Sequence, residues 1–261
     1  MTDLDEFVRN LYTTDEYLIK NPSLHEEDSP WKVKKILPLV DRFATDIDNV
    51  PISILDVGGG AGLILGAVAS YLEKTHGRSV AKYALDLSPG ALEIQKQRNP
   101  DLKQALHEDI CATSLGDKAM DLTLLIDLLE HVPDPTRALE EVRRISRYAI
   151  LKVPLDAHLV GTLWNFLKHG EPRKQSIQSL GHINVYGYGR LRRQIRRHAG
   201  HILAGSLTDT HEYFFHSPYH RGRMSRKSRL LALAAASTFR LWPRLSAAVF
   251  GDFALFLVSC D

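Results

Sequence analysis

The sequence has few of the features that mark secreted, disulfide-stabilised or membrane-spanning proteins. Its 261 residues include two cysteines, Cys111 and Cys260, whose separation fits neither a metal-binding nor a redox motif. We therefore expect reduced thiols in a reducing compartment. The first residues are acidic and lack the apolar stretch of a secretory signal. The longest uncharged run of the C-terminal third, Leu230 to Phe239, is shorter than a membrane-spanning helix. These absences predict a soluble, cytoplasmic protein.

A large excess of charge of one sign is also missing, because the formal net charge is +2. Locally, however, residues 1–29 contain eight Asp/Glu and two Lys/Arg, whereas residues 170–230 contain twelve Lys/Arg and three Asp/Glu. The basic segment could contact an anionic partner, either a phosphate-bearing substrate or a membrane surface, but a solvated basic face is the preferred interpretation. Aromatic residues are not interleaved with these cations as base stacking requires, so a nucleic-acid partner is not expected.

What the sequence does contain is a regular alternation of short apolar runs and amphipathic helical segments. The predicted strands cover residues 52–57, 80–86, 104–107, 121–126 and 148–153, and helices are predicted at 62–74, after Ser88-Pro89, and from Asp134-Pro135 to residue 145. This alternation is typical of an α/β fold with a doubly wound parallel sheet. Ligands of such sheets bind beyond the carboxyl ends of the strands.

Flanking segments complete the predicted organisation. Residues 1–50 are expected to form an N-terminal helical cap with two helices, the second starting at Ser29-Pro30, and residues 51–261 form the main domain. Within it, residues 154–188, expected to be irregular, and residues 216–250 are predicted insertions on the substrate side. A basic helix is predicted at 190–198. Two late apolar segments, 202–215 and 253–260, are predicted to be antiparallel strands that complete the sheet.

The most informative motif lies at residues 55–62, which read Leu-Asp-Val-Gly-Gly-Gly-Ala-Gly. Glycines permit a sharp turn and close approach of a ligand to the backbone, and the following helix directs its N-terminal N–H groups at that ligand. A dinucleotide-binding motif that starts at Gly58 requires glycine at its sixth position, which here is Leu63. Asp56, two residues before the turn, would repel a pyrophosphate and favours a cationic, zwitterionic cofactor.

Residues 50–155 resemble the class I S-adenosylmethionine-dependent methyltransferases on this motif. The resemblance implies a Rossmann-like seven-stranded sheet of order 3-2-1-4-5-7-6 and a cofactor whose methionine end lies against Asp56 and the glycine turn. It also implies that Asp86 binds the ribose hydroxyls, and that Asp109 and Ile110 enclose the adenine. The cofactor contacts implied in this way are Asp56, Gly58, Gly59, Gly60, Gly62, Asp86, Leu87, Asp109, Ile110, Asp127 and Leu128.

The stretch from Leu125 to Pro135 resembles the fourth-strand motif of the type 11 methyltransferases and of the ubiquinone-biosynthesis O-methyltransferases. His131 in this stretch, and His182 in a later Gly-His segment, are candidate general bases for methyl transfer to a hydroxyl group. Some relatives, including small-RNA 3′-terminal methyltransferases, bind a divalent metal with an acid-x-x-Glu-His cluster and a later histidine. Asp127, Glu130, His131 and His182 could imitate that set, but we expect no metal here.

The resulting hypothesis is methyl transfer from S-adenosylmethionine to a small-molecule acceptor, at oxygen. A non-catalytic S-adenosylmethionine-binding subunit of a larger assembly is the alternative, and a nicotinamide-dependent oxidoreductase ranks third. Residues 17–32, with His25, Trp31 and Lys32, are expected either to cover the cofactor pocket or to form an ordinary helical cap. The acceptor and the oligomeric state stay open, because the segment after Pro154 matches no single subfamily.

Overall fold

The computed structural model describes residues 3–24, 26–48, 50–217 and 224–261. The seven strands are β1 (Ile52–Val57), β2 (Val80–Asp86), β3 (Gln104–His107), β4 (Met120–Ile126), β5 (Ser146–Pro154), β6 (His201–Leu207) and β7 (Phe253–Ser259). The helices are α1 (Asp3–Thr13), α2 (Glu16–Lys20), α3 (Ser29–Thr45), α4 (Leu63–His76), α5 (Pro89–Arg98), α6 (Pro135–Ile145), α7 (Leu159–Leu167), α8 (Glu171–Leu180), α9 (Tyr188–His198), α10 (Thr210–His216), α11 (Arg226–Leu241) and α12 (Pro243–Phe250), with a short 3-10 helix at Glu26–Asp28.

All seven strands form one sheet in the order β3-β2-β1-β4-β5-β7-β6, which confirms the predicted Rossmann-like topology. The five strands from β3 to β5 are parallel, whereas β7 is antiparallel to both of its neighbours. In register, Val57 of β1 lies beside Leu85 of β2 and Leu125 of β4. The residues that follow these three strands therefore meet at one edge of the sheet.

Two apolar cores cover the two faces of the sheet. Helices α6 and α9 contribute Leu139, Val142 and Ile195 to one core, while α3 and α4 contribute Phe43 and Leu65 to the other. Helix α3, which is the second half of the predicted N-terminal cap, is thus part of the hydrophobic core of the main domain. That segment also contains more helix than the two helices expected, because α1, α2 and the 3-10 helix precede α3.

The prediction for the segment 202–215 is wrong in its second half. Strand β6 ends at Leu207, and the chain turns into α10. The buried carboxylate of Asp252 accepts hydrogen bonds from the backbone N–H and the hydroxyl of both Thr208 and Thr210. These bonds replace the strand-to-strand hydrogen bonds that a longer β6 would form. Asp252, about 40 residues later in the chain, therefore determines where β6 ends.

The prediction of irregular structure at 154–188 is also wrong, because the segment contains α7 and α8. His158 caps α7 by accepting a hydrogen bond from the Gly161 N–H at 3.1 Å. Gly181, with a φ of +72°, ends α8. Among the described residues, no helix combines the length and the apolar character needed to cross a membrane.

Candidate functional site

The acid and the glycines that follow β1 form a cradle at the carboxyl edge of the sheet. Asp56 is buried, and its Oδ2 atom has no hydrogen-bond partner among the described residues. Gly58 and Gly60 have φ angles of +64° and +52°, in the left-handed region that favours glycine. A Cβ atom added at Gly59 would lie 2.1 Å from Asp56 Oδ2. Because a buried carboxylate oxygen is costly without a partner, this geometry fits a ligand that donates a hydrogen bond at that point.

Gly62 is the exception among the predicted glycines, because it lines neither cavity of the site. Its φ is +70°, and an added Cβ would lie 2.8 Å from the Asn99 Nδ2 atom. That amide donates to the Gly62 carbonyl oxygen at 3.0 Å. Gly62 therefore packs the start of α4 against α5, and its contact with the cofactor stays a prediction.

A first cavity of about 300 Å³ lies beyond the ends of β1, β2 and β4. Asp86 ends β2 and accepts a hydrogen bond from the Ser88 N–H at 2.9 Å. Asp109 accepts from the Cys111 N–H, also at 2.9 Å. The buried side chain of Ile110 adds an apolar wall. The predicted cofactor residues that line this cavity are Gly58, Gly60, Asp86, Leu87, Asp109, Ile110, Asp127 and Leu128.

Two carboxyl groups of this edge have raised pKa values. Burial and, to a lesser degree, the nearby Asp86 raise the pKa of Asp56 to about 7. Burial raises the pKa of Asp86 to about 6, although its backbone hydrogen bonds partly oppose the shift. Among the described residues neither carboxyl group forms an ion pair with a lysine or arginine, although His107 slightly favours the ionised form of Asp86. The ammonium group of a zwitterionic cofactor would supply a positive charge at Asp56, so the residues present fit S-adenosylmethionine.

A second cavity of about 280 Å³ lies next to the first and is walled by aromatic side chains. Lys152, fully buried at the end of β5, contacts Asp127 Oδ1 at 2.5 Å, and Lys32 contacts Asp127 Oδ2 at 3.0 Å. The Lys152 ammonium also lies 3.3 Å from the centre of the Phe253 ring. Burial lowers the pKa of Lys152 to about 8, despite the attraction of Asp127. Asp127, whose φ is +55°, is thus fixed between two lysines at the boundary of the two cavities.

The two predicted histidines meet at this boundary, with ring centres 4.8 Å apart. His131 lines both cavities and His182 lines the second. His182 Nδ1 lies 3.1 Å from Asp156 Oδ2, and His131 Nδ1 lies 3.0 Å from the Tyr12 hydroxyl. The Tyr12 hydroxyl is also placed to donate to the Leu180 carbonyl oxygen at 3.3 Å. In the tautomers that carry the proton on Nδ1, both rings present an unprotonated Nε2.

Glu130 lies beneath the histidines and is fully buried. Burial, and then repulsion from Asp127, raise its pKa well above the usual value. Its Oε1 atom is 3.8 Å from His131 Nε2. One ligand atom each from Glu130, His131 and His182 lie within 4.8 Å of one another, which is close enough to hold a metal ion. Asp127, which the sequence grouped with these three residues as a possible metal ligand, instead forms ion pairs with Lys32 and Lys152.

The N-terminal segment contributes side chains to both cavities. Tyr12, Tyr17 and Leu24 line the first cavity. Asp15 ties this segment to α5, because the Ser88 hydroxyl donates to Asp15 Oδ1 at 2.5 Å and the Gly90 N–H donates at 3.2 Å. Trp31 and Lys32 line the second cavity, while His25 lies outside the described residues.

Several site residues were not anticipated from the sequence. Lys152 carried one recognisable signal, namely a lone lysine near the end of an otherwise apolar strand. Tyr12, Asp156 and Tyr213 carried none, because their positions depend on the packing of distant elements. The arginines of α9 are exposed and line neither cavity, and an anionic partner for them stays a prediction. Arg221 and Arg223 lie outside the described residues.

Comparison with known proteins agrees with this geometry. Residues 55–148 match the family described as "Methyltransferase domain". A protein of Mycobacteroides abscessus described as an uncharacterized methyltransferase is 29% identical over 146 residues. The alignment covers 49% of this chain and 55% of that protein, so the chain matches little more than half of the relative's length.

Solved structures share the fold at low sequence identity. The geranyl diphosphate C-methyltransferase of Streptomyces coelicolor, in complex with Mg²⁺, geranyl diphosphate and S-adenosylhomocysteine, superimposes with a TM-score of 0.57 at 9% identity, covering 86% of this chain and 80% of its own. A protein described as "the putative methyltransferase", in complex with the Haloferax volcanii Trm112 methyltransferase activator, gives a TM-score of 0.55 at 14% identity, covering 90% of this chain and 97% of its own. Together these findings show that residues 55–148 are similar to a methyltransferase domain and that the chain shares its fold with solved methyltransferases.

Proposed function

We propose that this protein transfers a methyl group from S-adenosylmethionine to an oxygen atom of a small-molecule acceptor bound in the second cavity. The observation that carries the proposal is the position of His131, which lines the cofactor cavity and the aromatic cavity at once. An acceptor hydroxyl at this boundary would lie beside a base and in line with the cofactor's methyl group.

The cofactor, when bound, supplies an electrophilic methyl group. The chain's own residues then have to orient it and exclude water. In this proposal the ionised Asp56 binds the cofactor's ammonium group, Asp86 binds the ribose hydroxyls, and Asp109 and Ile110 enclose the adenine. Gly58 to Gly60 let the backbone approach the ligand, and Leu87 and Leu128 add apolar contacts, as both line the first cavity.

Either histidine could remove the acceptor's proton as the methyl group is transferred. His131 is favoured because it borders both cavities, and its Nδ1 is fixed by Tyr12. His182 is oriented by Asp156, in the way that a carboxylate orients a catalytic imidazole. The acceptor cavity has aromatic walls, since the rings of Trp31 and Tyr213 stack with centres 4.6 Å apart. Such walls favour an acceptor with a flat or apolar body.

The alternative, a non-catalytic cofactor-binding subunit, has one observation in its favour. The Haloferax volcanii neighbour was solved with an activator protein, so proteins of this fold do act within assemblies. The orientation of two histidines at the cavity boundary favours the enzyme, because cofactor binding alone does not require them. The cytoplasmic location remains a prediction from the two cysteines, both of which are free thiols.

The test is a structure with S-adenosylhomocysteine, combined with methylation assays on hydroxyl-bearing small molecules with labelled S-adenosylmethionine. We expect the product's ammonium group at Asp56, its adenine between Asp109 and Ile110, and its sulfur facing His131. A nucleoside bound elsewhere would contradict the cofactor assignment. Tight binding with no methylated product from any acceptor pool would support the subunit alternative.

A further inference from the structure

Three helices outside the site carry an unusual number of exposed apolar side chains. No residue of α7 is buried, and Phe166 in that helix is 77% exposed. In α11, Leu230 is 67% exposed. The large apolar residues exposed on these helices and their junction are Leu159, Leu163, Trp164, Phe166, Leu167, Leu230, Leu231, Leu233, Leu241, Trp242 and Leu245. Isolated exposed apolar residues need no explanation, but a concentration of them indicates an interaction surface.

These helices adjoin one another, so we treat them as one apolar helical surface formed by α7, α11 and α12. The Ser246 hydroxyl in α12 donates to the Ala235 carbonyl oxygen in α11 at 2.8 Å. The N-cap residue of α7, His158, lies 3.4 Å from the Val249 carbonyl oxygen in α12. A shallow groove at the α11–α12 junction, lined by Phe239, Trp242 and Leu245 among others, belongs to the same surface.

The charges on this surface are of one sign. Residues 224–250 contain five Lys/Arg and no Asp/Glu. Residues 159–168 contain Lys168 and no acidic residue, and the Lys168 ammonium lies 5.1 Å from the centre of the Trp164 ring. Apolar and aromatic side chains combined with cations are the composition of helices that lie in the interface of an anionic membrane.

We propose that α7, α11 and α12 bind the surface of a bilayer containing anionic phospholipids. The helices lie on the membrane and do not span it, in agreement with the lack of a spanning helix among the described residues. A second copy of this chain fits the surface less well. A two-fold contact would bring the same cationic patch against itself, with no acidic residue in these helices to compensate. The uniformly positive charge of these helices therefore favours an anionic lipid surface over a second copy of the chain as the partner.

The same surface is connected to the acceptor cavity. Helix α7 leads through α8 to Leu180 and His182, and α11 is preceded in the chain by α10, which carries Tyr213; all three of these residues line the second cavity. If the proposed methyl transfer is correct, the acceptor is a lipid-embedded or lipid-linked hydroxyl compound that enters from the membrane. This extension rests on the proposed function, whereas the membrane contact itself does not.

The test is flotation of the full chain with vesicles of phosphatidylcholine alone and with 30% phosphatidylglycerol (about that fraction suffices to create a negative surface). We expect binding to the anionic vesicles, weakened at least about tenfold by the double substitution Trp164→Ser/Phe166→Ser and by Arg226→Glu/Lys227→Glu. The matched controls are Val50→Ser, which removes a 64% exposed apolar side chain before β1, and Lys34→Glu on α3. Both should bind like the unmodified protein.

Three outcomes would overturn the proposal: no binding to either vesicle, equal binding to both, or dimers that dissociate on Trp164→Ser/Phe166→Ser substitution without any vesicle binding. Calorimetry with S-adenosylhomocysteine separates this test from the proposed function. The surface variants should retain the unmodified affinity for that product. If a surface variant loses vesicle binding but keeps its affinity for S-adenosylhomocysteine, the result supports the membrane surface and says nothing against the site. If the unmodified protein does not bind S-adenosylhomocysteine, the result contradicts the proposed site and leaves the membrane surface unaffected.

Discussion

At the scale of single residues, the proposed function makes cofactor binding depend on the charge of Asp56. Its pKa of about 7 means that the carboxyl group is largely protonated below neutral pH, whereas an ammonium ligand requires the carboxylate. Raising the pH through 7 should therefore strengthen binding of S-adenosylhomocysteine, and lowering it should weaken binding by up to about tenfold per pH unit.

Calorimetry between about pH 5.5 and pH 8.5 measures this dependence, with thermal unfolding at each pH as the control for folding. Asp56→Asn should bind about 10- to 100-fold more weakly at high pH, because a charge-assisted hydrogen bond is lost. It should retain only the smaller pH dependence of Asp86, whose pKa is about 6. A pH-independent affinity in the unmodified protein would contradict the role of Asp56.

A substitution at Gly59 tests whether the cradle at Asp56 binds the cofactor, because it changes the shape of the cradle without changing a charge. The Cβ of Gly59→Ala would lie 2.1 Å from Asp56 Oδ2, so the carboxylate must move. We expect at least about a tenfold loss of S-adenosylhomocysteine affinity, of the order of 1.4 kcal/mol, in a protein that still folds. Gly116→Ala is the matched control, because nothing lies within 4 Å of its added Cβ. Equal affinity of the two variants would show that the cradle does not hold the ligand.

His131 and His182 are distinguished by turnover rather than by binding. Loss of a general base slows catalysis by about 10²–10⁴-fold, so His131→Ala should retain product affinity and lose turnover. His182→Ala should show a smaller loss if His131 is the base.

The same turnover assay after exhaustive chelation of divalent metals should give unchanged activity. Activity lost on chelation and restored by a divalent metal would instead make Glu130, His131 and His182 metal ligands.

At the scale of elements, the ends of β4 and β5 are joined by a buried ion pair. Burial would raise the pKa of Asp127, but Lys152 and Lys32 outweigh it and keep the carboxylate ionised. Asp127→Ala would leave the fully buried Lys152 without its partner, which typically costs about 3–5 kcal/mol of unfolding free energy. Asp127→Ala/Lys152→Met should recover most of that loss, since the uncompensated charge is gone. Urea unfolding of both variants measures the difference; equal destabilisation would mean that packing dominates.

The N-terminal segment acts at the scale of the whole molecule, because it closes the cofactor cavity from a distant part of the chain. Asp15 accepts hydrogen bonds from Ser88 and Gly90 at the start of α5. Asp15→Ala should loosen the segment and speed release of S-adenosylhomocysteine by roughly 3- to 10-fold, in line with about 1 kcal/mol for a hydrogen bond. Stopped-flow displacement measures the rate. Glu16→Ala, which removes only an exposed ion pair with Lys20, is the control and should change nothing.

Much of the cofactor half of the site was predictable because its determinants are local. Asp56 and Asp86 lie at the carboxyl ends of β1 and β2, Asp109 comes two residues after β3, and parallel strands bring these ends together. The acceptor half was less predictable. The approach of Tyr12 to His131 joins residues 119 positions apart, and no periodicity encodes such a contact. Lys152 appeared only as an anomaly in an apolar strand.

The sequence by itself determined the glycine turn, the alternation of strands and helices and hence a doubly wound parallel sheet, because these depend on backbone sterics and on hydrophobic period. Only the tertiary structure decided that Gly62 packs against Asn99 rather than lining a cavity, and that Asp252 ends β6 and starts α10. It also decided that Asp127 lies between two lysines. These outcomes depend on which side chains become neighbours after the chain folds, and on the cost of leaving buried polar groups without partners.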